Sequence, residues 1–409
     1  VIALLKLILV FAGIVFLLIR KLNLGLVLLL ASVAVGLLYG HPLPAIGRDI
    51  VLASVDVLTL RLALAVVLIM TLGELLRQTA GLKGMVAALQ SLVANGWIVI
   101  AALPALVGLL PMIGGAMFSA PLVDEVGDRL GVNGERKTFV NYWFRHIWEP
   151  IFPLYPSMLL AAELLGMSAL ELARATWPIT ATAVAGGLLF GLVGLPRKGL
   201  AEDPARSRAQ NLRTLGASIW PIALVIVLSM TLPVDERLTL ILSLLVTISL
   251  MLAVYRVPLL DLKRILVERI PWHTVVVIFG ALIFRRVLDN SGAILAISGA
   301  LTELQIPLAA VAFAVPFIAG LLTGLMAAAY SIGFPVIQPL VMASGGSIAG
   351  HWALWLMAGG FLGTMLSPVH LCLALTRVYF KAEWGAVYRR IAPPALLMLG
   401  TAVAVLVLT

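Results

Sequence analysis

Long apolar blocks separated by short polar breaks dominate the chain. Residues 2–19, 24–39, 62–72, 219–232 and 238–255 are apolar almost without interruption. Such blocks approach or reach the ~20 apolar residues that cross ~30 Å of hydrocarbon as a helix. They are continuous rather than alternating, which predicts helices and not the strands of a membrane barrel. The longest polar break is PRKGLAEDPARSRAQNLR at 196–213.

Positions 212 residues apart resemble one another. LPALVGLLPMIGGAMFS at 103–119 lies over VPFIAGLLTGLMAAAYS at 315–331, matching Pro104 to Pro316, Gly108 to Gly320 and Ser119 to Ser331. Further on, and without a gap, Trp143 meets Trp355 and Pro156 meets Pro368. ELLRQTAGL at 74–82 resembles RVLDNSGAI at 286–294 with one gap. The pattern predicts two repeats, 1–195 and 214–409, joined by a cytoplasmic linker at 196–213. Each repeat reads as three helices, a helical hairpin, an interrupted helix and a last helix. The first hairpin is expected at 97–123, with arms too short to cross, so it enters and leaves on one face. Five crossings per repeat then turn the second repeat upside down.

Charge and composition sharpen this picture. Of 409 residues 62% are hydrophobic and 11% charged, against about 25% charged in soluble domains. The net charge of +9 lies between apolar blocks rather than in one patch, so no nucleic-acid partner is expected. The expected topology puts twenty Lys and Arg on one face and six on the other, namely Arg48, Arg61, Arg174, Arg237, Arg285 and Arg286. The crowded face is cytoplasmic by the positive-inside rule, which places both termini outside a cell (inner) membrane. The block at 2–19 has one basic residue, Lys6, and no small-residue cleavage site, so it reads as a mature helix. A single cysteine, Cys372, argues against an internal disulfide framework and a thiolate metal cluster.

Four places interrupt helix at membrane depth. Two are hairpin tips, PMIGGAMFS at 111–119 with Gly114 and Gly115, and TGLMAAAYS at 323–331 with Gly324. The others are PLYPS at 153–157 and SPVH at 367–370, where Ser367 and Pro368 predict an N-cap and first helical residue. Non-helical backbone in a bilayer has to be buried in protein or line a wet cavity. Half-helix N-termini favour anions, and freed carbonyls coordinate cations. Candidate ligand hydroxyls are Ser119, Ser331, Thr323, Tyr155, Ser157 and Ser367.

Two halves, each leading through LRQTAGL or LDNSGAI to a hairpin and an interrupted helix, resemble the ion transporter superfamily. That group includes gluconate permeases, divalent anion sodium symporters and membrane subunits of tripartite periplasmic transporters. LPMIGGAMFSAP at 110–121 and NYWFRHIWE at 141–149 look like an uncharacterised prokaryotic family of integral membrane proteins placed in that superfamily. The resemblance implies an elevator mechanism and a homodimer, but no substrate. Neither tip carries a clear Ser-Asn-Thr signature of the divalent anion symporters.

Ionisable residues inside apolar sequence mark functional positions by default. Arg145 and Glu149 stand four apart, close enough on one helix for an ion pair. Alternatively Arg145, beside Asn141, meets an anionic solute, and Glu149 or His146 takes up a coupling proton. His370, just after a break, is a candidate for ligand contact or proton relay. The whole predicts an ion-coupled secondary transporter of a small anionic solute, with Na⁺ or H⁺ as coupling ion and no other cofactor. A cation/proton antiporter, an exporter, or a membrane subunit working with a periplasmic solute-binding protein are the alternatives. An enzyme is not expected, since neither HExxH nor GxxxxGK[ST] occurs.

Overall fold

The computed structural model describes residues 1–79, 88–89, 93, 95–109, 115–195, 208–232, 236–345 and 348–409. Gly114, most of the linker at 196–213, and Lys83, Arg197, Lys198 and Arg206 of the charge pattern lie outside these residues. Among the described residues the fold is helical, without a strand.

The first half runs α1 (Ile2–Ile19), α2 (Leu24–Leu38), α3 (Leu43–Val55), α4 (Val57–Thr79), α5 (Gly96–Gly108), α6 (Gly115–Arg129), α7 (Gly134–His146), α8 (Pro156–Leu165) and α9 (Ala169–Gly186). The last continues as a wider π-helical turn, Gly187–Leu192. The second half runs α10 (Arg208–Thr231), α11 (Glu236–Val254), α12 (Leu259–Arg264), α13 (Trp272–Asn290), α14 (Ala293–Glu303), α15 (Leu308–Thr323), α16 (Met326–Gly345), α17 (Gly350–Met365), α18 (Leu371–Tyr379) and α19 (Trp384–Leu408). Local chemistry explains many of these starts. The Asn23, Asn95 and Asn133 side chains accept from backbone N–H groups at the starts of α2, α5 and α7. Ser168 and Glu171 close a capping box on α9.

Among the described residues, five helices are long and apolar enough to cross a membrane: Ile2–Ile19, Val57–Thr79, Ala169–Leu192, Arg208–Thr231 and Trp384–Leu408. A sixth span results when Leu259–Arg269 and Trp272–Asn290, bent by 58°, are taken together. This is the fold expected of a membrane protein.

Several boundaries differ from the expectation. Each half carries an extra short helix, α3 or α12, before its third long one. These segments contain Arg48 and Asp49 or Asp261, Lys263 and Arg264, which hid them from a search for unbroken apolar blocks. Another helix, α14, precedes the second hairpin. The first hairpin has arms of 13 and 15 residues and ends at Arg129, six residues later than expected. Its second-half counterpart has arms of 16 and 20 residues, because Pro335 and Pro339 lie inside α16 without ending it.

Packing separates the helices into two bodies, each drawn from both halves. In one body α13 packs on α2, α3 and α4, α11 packs on α4 and α10, and α1 on α2. In the other, α15 packs on α16 and α17, α5 on α6 and α7, α8 on α16, α6 and α7 on α18, and α9 and α17 on α19. Between the bodies the contacts are sparser, chiefly α13 on α16, α1 on α15, and α4 and α13 on α8. Partners recur at the 212-residue offset. The α2–α13 contact has its counterpart in α4–α11, α5–α7 in α15–α17, and α6–α18 in α8–α16.

Close backbone approach fixes the first body. A Cβ on Gly280 would stand 2.5 Å from the Gly25 carbonyl oxygen, so α2 and α13 touch through their backbones. Nearby, Asp49 gathers His41 Nε2 at 2.9 Å, Asn290 Nδ2 at 2.9 Å and Arg286 Nε at 3.4 Å. Arg286, within an apolar stretch, thus has an acidic partner, and Glu74 accepts from Arg77 and Gln78. Replacing Asp49 by Ala strands three donors around a buried position. We expect a stability loss of about 1–3 kcal/mol, read from thermal unfolding in detergent, with Asp49→Asn recovering part of it.

Two cavities lie along the seam between the bodies. One of about 500 Å³ is apolar, lined among others by Leu62, Leu159, Trp177 and Val225. The other, of about 440 Å³, is polar, lined by Asp56, Thr59, Glu163, Arg285, Arg286, Asp289 and Asn290 among others. Arg285 bridges the seam by donating to the Glu163 carbonyl at 2.9 Å.

Candidate functional site

Proline decides where the interrupted helices stop. Pro150 has no N–H to give to the carbonyl of His146, four residues back, and its ring would collide with it. Accordingly α7 ends at His146, whose carbonyl instead accepts from Glu149 N at 3.1 Å. The chain continues without regular helix through 147–155 until Pro156 opens α8. The break is therefore longer than PLYPS, and it begins on its N-terminal side. In the second half Pro368 plays the same part for Thr364, and α17 stops at Met365. Here Ser367 and Pro368 form a tight turn rather than starting a helix. Ser367 Oγ accepts from Val369 N, and α18 begins only at Leu371, with His370 as its N-cap residue.

Both breaks are tied to a hairpin in the same way. Tyr155 OH donates to the Gly108 carbonyl at the end of α5. Ser367 Oγ, 212 positions later, donates to the Leu321 carbonyl near the end of α15 at 2.6 Å. Gly324 closes α15 with φ +65°, and a Cβ there would meet His370 Cα at 2.7 Å. Gly115, opening α6, lies directly against the guanidinium of Arg145, where any Cβ would collide with it. Glycine at these two tips is what lets hairpin and break touch.

The two breaks, the start of α6 and the end of α15 meet at a buried polar cluster. Tyr142 OH donates to the Met365 carbonyl at 3.0 Å, and Asn141 Nδ2 donates to Ala116 O at 2.9 Å and Thr376 Oγ1 at 3.2 Å. The His146 and His370 rings meet edge to face with centroids 4.9 Å apart, and Tyr142 packs on both at 4.7 and 5.4 Å. His146 Nδ1 is 2.6 Å from the Tyr142 carbonyl, and since a carbonyl only accepts, that nitrogen carries the proton. Its Nε2 faces Glu149 Oε1 at 3.9 Å. Arg145 supplies the positive charge felt by Glu149, His146, His370 and Cys372. Glu149 Oε2, His370 Nδ1, Asn141 Oδ1 and Thr364 Oγ1 are buried without a hydrogen-bond partner. Buried polar atoms are ordinarily paired, so these four make the cluster the candidate ligand site.

The sequence candidates divide on this geometry. Asn141, Arg145, His146, Glu149, Tyr155, Ser367, His370, Gly115 and Gly324 stand at or beside the cluster. Unwinding after His146 removes the common helix face that would have paired Arg145 with Glu149, and the two side chains turn to Gly115 and His146 respectively. Ser119 and Ser331 are buried and donate into their own helices, to Ala116 O at 3.3 Å and Ala327 O at 2.5 Å. Thr323 does the same to Ala319 O at 2.7 Å, and Ser157 is half-buried in the first turn of α8. Sequence reading missed Tyr142, Thr364, Cys372 and Thr376. Tyr142 was available to it, standing three and four residues before Arg145 and His146 on the same helix face.

No curated protein matches the chain. Its family is nonetheless clear from a match spanning residues 3–409, and the chain belongs to the one described as Protein of unknown function (DUF401).

Proposed function

We propose that this protein is an ion-coupled secondary transporter of a small anionic solute. It sits in the cell (inner) membrane as two inverted repeats with both termini outside, and it works by an elevator-type movement. The observation that carries the reading is the convergence of two hairpins and two interrupted helices, one of each from either half, on a single buried polar cluster. That cluster lies wholly within one body, whose contacts with the other are sparse and whose seam holds cavities of about 500 and 440 Å³. A body that carries a closed site past a partner through a lightly packed seam is what alternating access requires.

Arg145 and the N-terminal ends of α6, α8 and α18 favour an anion. His146 and Glu149 are the groups for a coupling proton, and freed carbonyls at the ends of α7 and α17 serve Na⁺. A homodimer, with the first body at its centre, suits this mechanism. Association with a periplasmic solute-binding protein is the variant in which the chain is one subunit of a larger transporter.

Proteoliposomes under an imposed Na⁺ or proton gradient test the reading against a panel of organic and inorganic anions. Gradient-dependent accumulation of one anion is the expected result. Binding of a solute with no gradient-dependent flux in either direction would sink coupled transport.

A further inference from the structure

One ring nitrogen each of His146 and His370 and the thiol sulfur of Cys372 lie within 4.8 Å of one another, all buried. They come from two stretches far apart in sequence: the end of α7 carries His146, and the start of α18 carries His370 and Cys372. The donor state of this group can be worked out atom by atom. The bond to the Tyr142 carbonyl holds the proton of His146 on Nδ1, which leaves the Nε2 lone pair facing the cluster. A ligating histidine is oriented in this way, with its other ring nitrogen donating to a carbonyl. His370, only 7% exposed, has an Nδ1 without a hydrogen-bond partner. Glu149 adds a carboxylate whose Oε1 is 3.9 Å from His146 Nε2 and whose Oε2 has no partner.

We propose that His146, His370 and Cys372, with Glu149 as fourth donor, form a buried site for a divalent cation of the zinc class, joining the two helix breaks. Two imidazoles, a thiolate and a carboxylate make a four-donor set that suits tetrahedral Zn²⁺ and discriminates against Mg²⁺ and Ca²⁺, which take all-oxygen shells. Bonds of about 2.0–2.3 Å bring tetrahedral donors to roughly 3.3–3.8 Å from one another. The three donors, up to 4.8 Å apart, therefore have to draw together by about 1 Å, and Glu149, which approaches His146 Nε2 at 3.9 Å but stands outside that group of three, has to swing in as the fourth. Binding releases the Cys372 proton to solvent, since the thiolate is the ligand. Thiolate and carboxylate balance the two charges of the cation, and Arg145 remains as the positive group of the site. A resident cation would hold 147–155 and 366–370 together whichever solute passes, so the inference does not depend on transport. With the cation bound, His146 and Glu149 are ligands and the coupling ion is Na⁺ rather than a proton carried by them.

The test uses purified full-length protein in detergent with Co²⁺ as the spectroscopic probe and Zn²⁺ as competitor. Expected are a thiolate-to-cobalt charge-transfer band, intense visible transitions of tetrahedral Co²⁺, and loss of both on adding Zn²⁺. Cys372→Ser should remove the charge-transfer band, and His146→Asn or His370→Asn should weaken binding at least tenfold. Alkylation of Cys372 should slow when Zn²⁺ is present. Each variant is first compared with the parent by circular dichroism without metal. Should a variant fail to fold, the parent's own spectrum and alkylation rate decide. The proposal is overturned if the parent, with its thiol shown to be reduced, gives no thiolate band. It is equally overturned if the cobalt spectrum survives Cys372→Ser unchanged, or if Mg²⁺ displaces Co²⁺ as well as Zn²⁺ does.

Discussion

Arg145→Gln is expected to abolish gradient-driven uptake and to weaken solute binding about 10²–10³-fold, the equivalent of losing one partner from a buried charge pair at ~3–5 kcal/mol. The guanidinium is fixed in place by its neighbours: Gly115 leaves room for it at the start of α6, and the end of α7 directs it there. Lysine carries the charge without the planar fork, so Arg145→Lys should restore only part of the affinity. A purely structural role has a different signature. If Arg145 serves only to offset the charge of Glu149, then adding Glu149→Gln to Arg145→Gln should restore stability and affinity together. If Arg145 holds the solute, the double variant recovers thermal stability but stays inactive. Isothermal titration and proteoliposome flux on the four proteins separate these cases. Unchanged affinity in Arg145→Gln removes the residue from the site.

Under the proposed function, selectivity belongs to the positions that differ across the 212-residue offset. Tyr155 and Ser367 occupy equivalent positions and anchor equivalent breaks, and Ser119 and Ser331 make equivalent bonds inside α6 and α16. These shared features build the frame. Arg145, His146 and Glu149 align with Met357, Ala358 and Phe361, so one half supplies the charge and the other supplies His370 and Cys372. On the proposed inverted repeat, a frame with unequal contents offers its ligand one orientation. The chemistry of the site therefore sits in what the halves do not share.

Much of this was legible in the chain before its structure. The apolar blocks mark most of the long helices, and several helix contacts recur at the 212-residue offset at which Pro, Gly and Trp recur in the sequence. Proline placed both breaks to within a few residues. The division into two bodies was not legible, since helices apolar on all sides carry no stripe to say which face meets which neighbour. Cys372 was passed over for a related reason. One cysteine rules out a thiolate cluster, but it says nothing against a mixed site whose other ligands lie 226 residues away at His146 and two away at His370. Short helices α3 and α12 were lost to their own charges, of which Asp49 meets Arg286 from α13 and Arg264 meets Glu268 four residues on.

The same close packing that builds the second body makes it fragile, and Gly363→Leu is expected to show this. On α17, Gly359 and Gly363 face α15 one turn apart. A Cβ on Gly359 would stand 2.6 Å from the Phe313 carbonyl oxygen, and one on Gly363 would press on the carbonyl of Phe317. From the other side, a Cβ on Gly320 would reach 2.8 Å from the Gly360 carbonyl oxygen. In each case the obstacle is backbone, which cannot rotate aside as a side chain can, so the helices have to separate along their length. Such small-residue seams hold helices together where lipid gives no hydrophobic drive. Overpacking commonly costs ~1–3 kcal/mol, and a rigid obstacle places Gly363→Leu at or above the upper end. Separation would also withdraw the second break from Gly324 and Leu321, so binding should fall with stability. The control is Gly400→Ala on α19, where a Cβ meets nothing within 4 Å. There the smaller conformational freedom of alanine should raise stability by roughly 0.5–1 kcal/mol. Thermal unfolding in one detergent, with solute binding measured on the same samples, compares the two. Equal midpoints for Gly363→Leu and the parent would mean that α15 and α17 do not meet through their backbones.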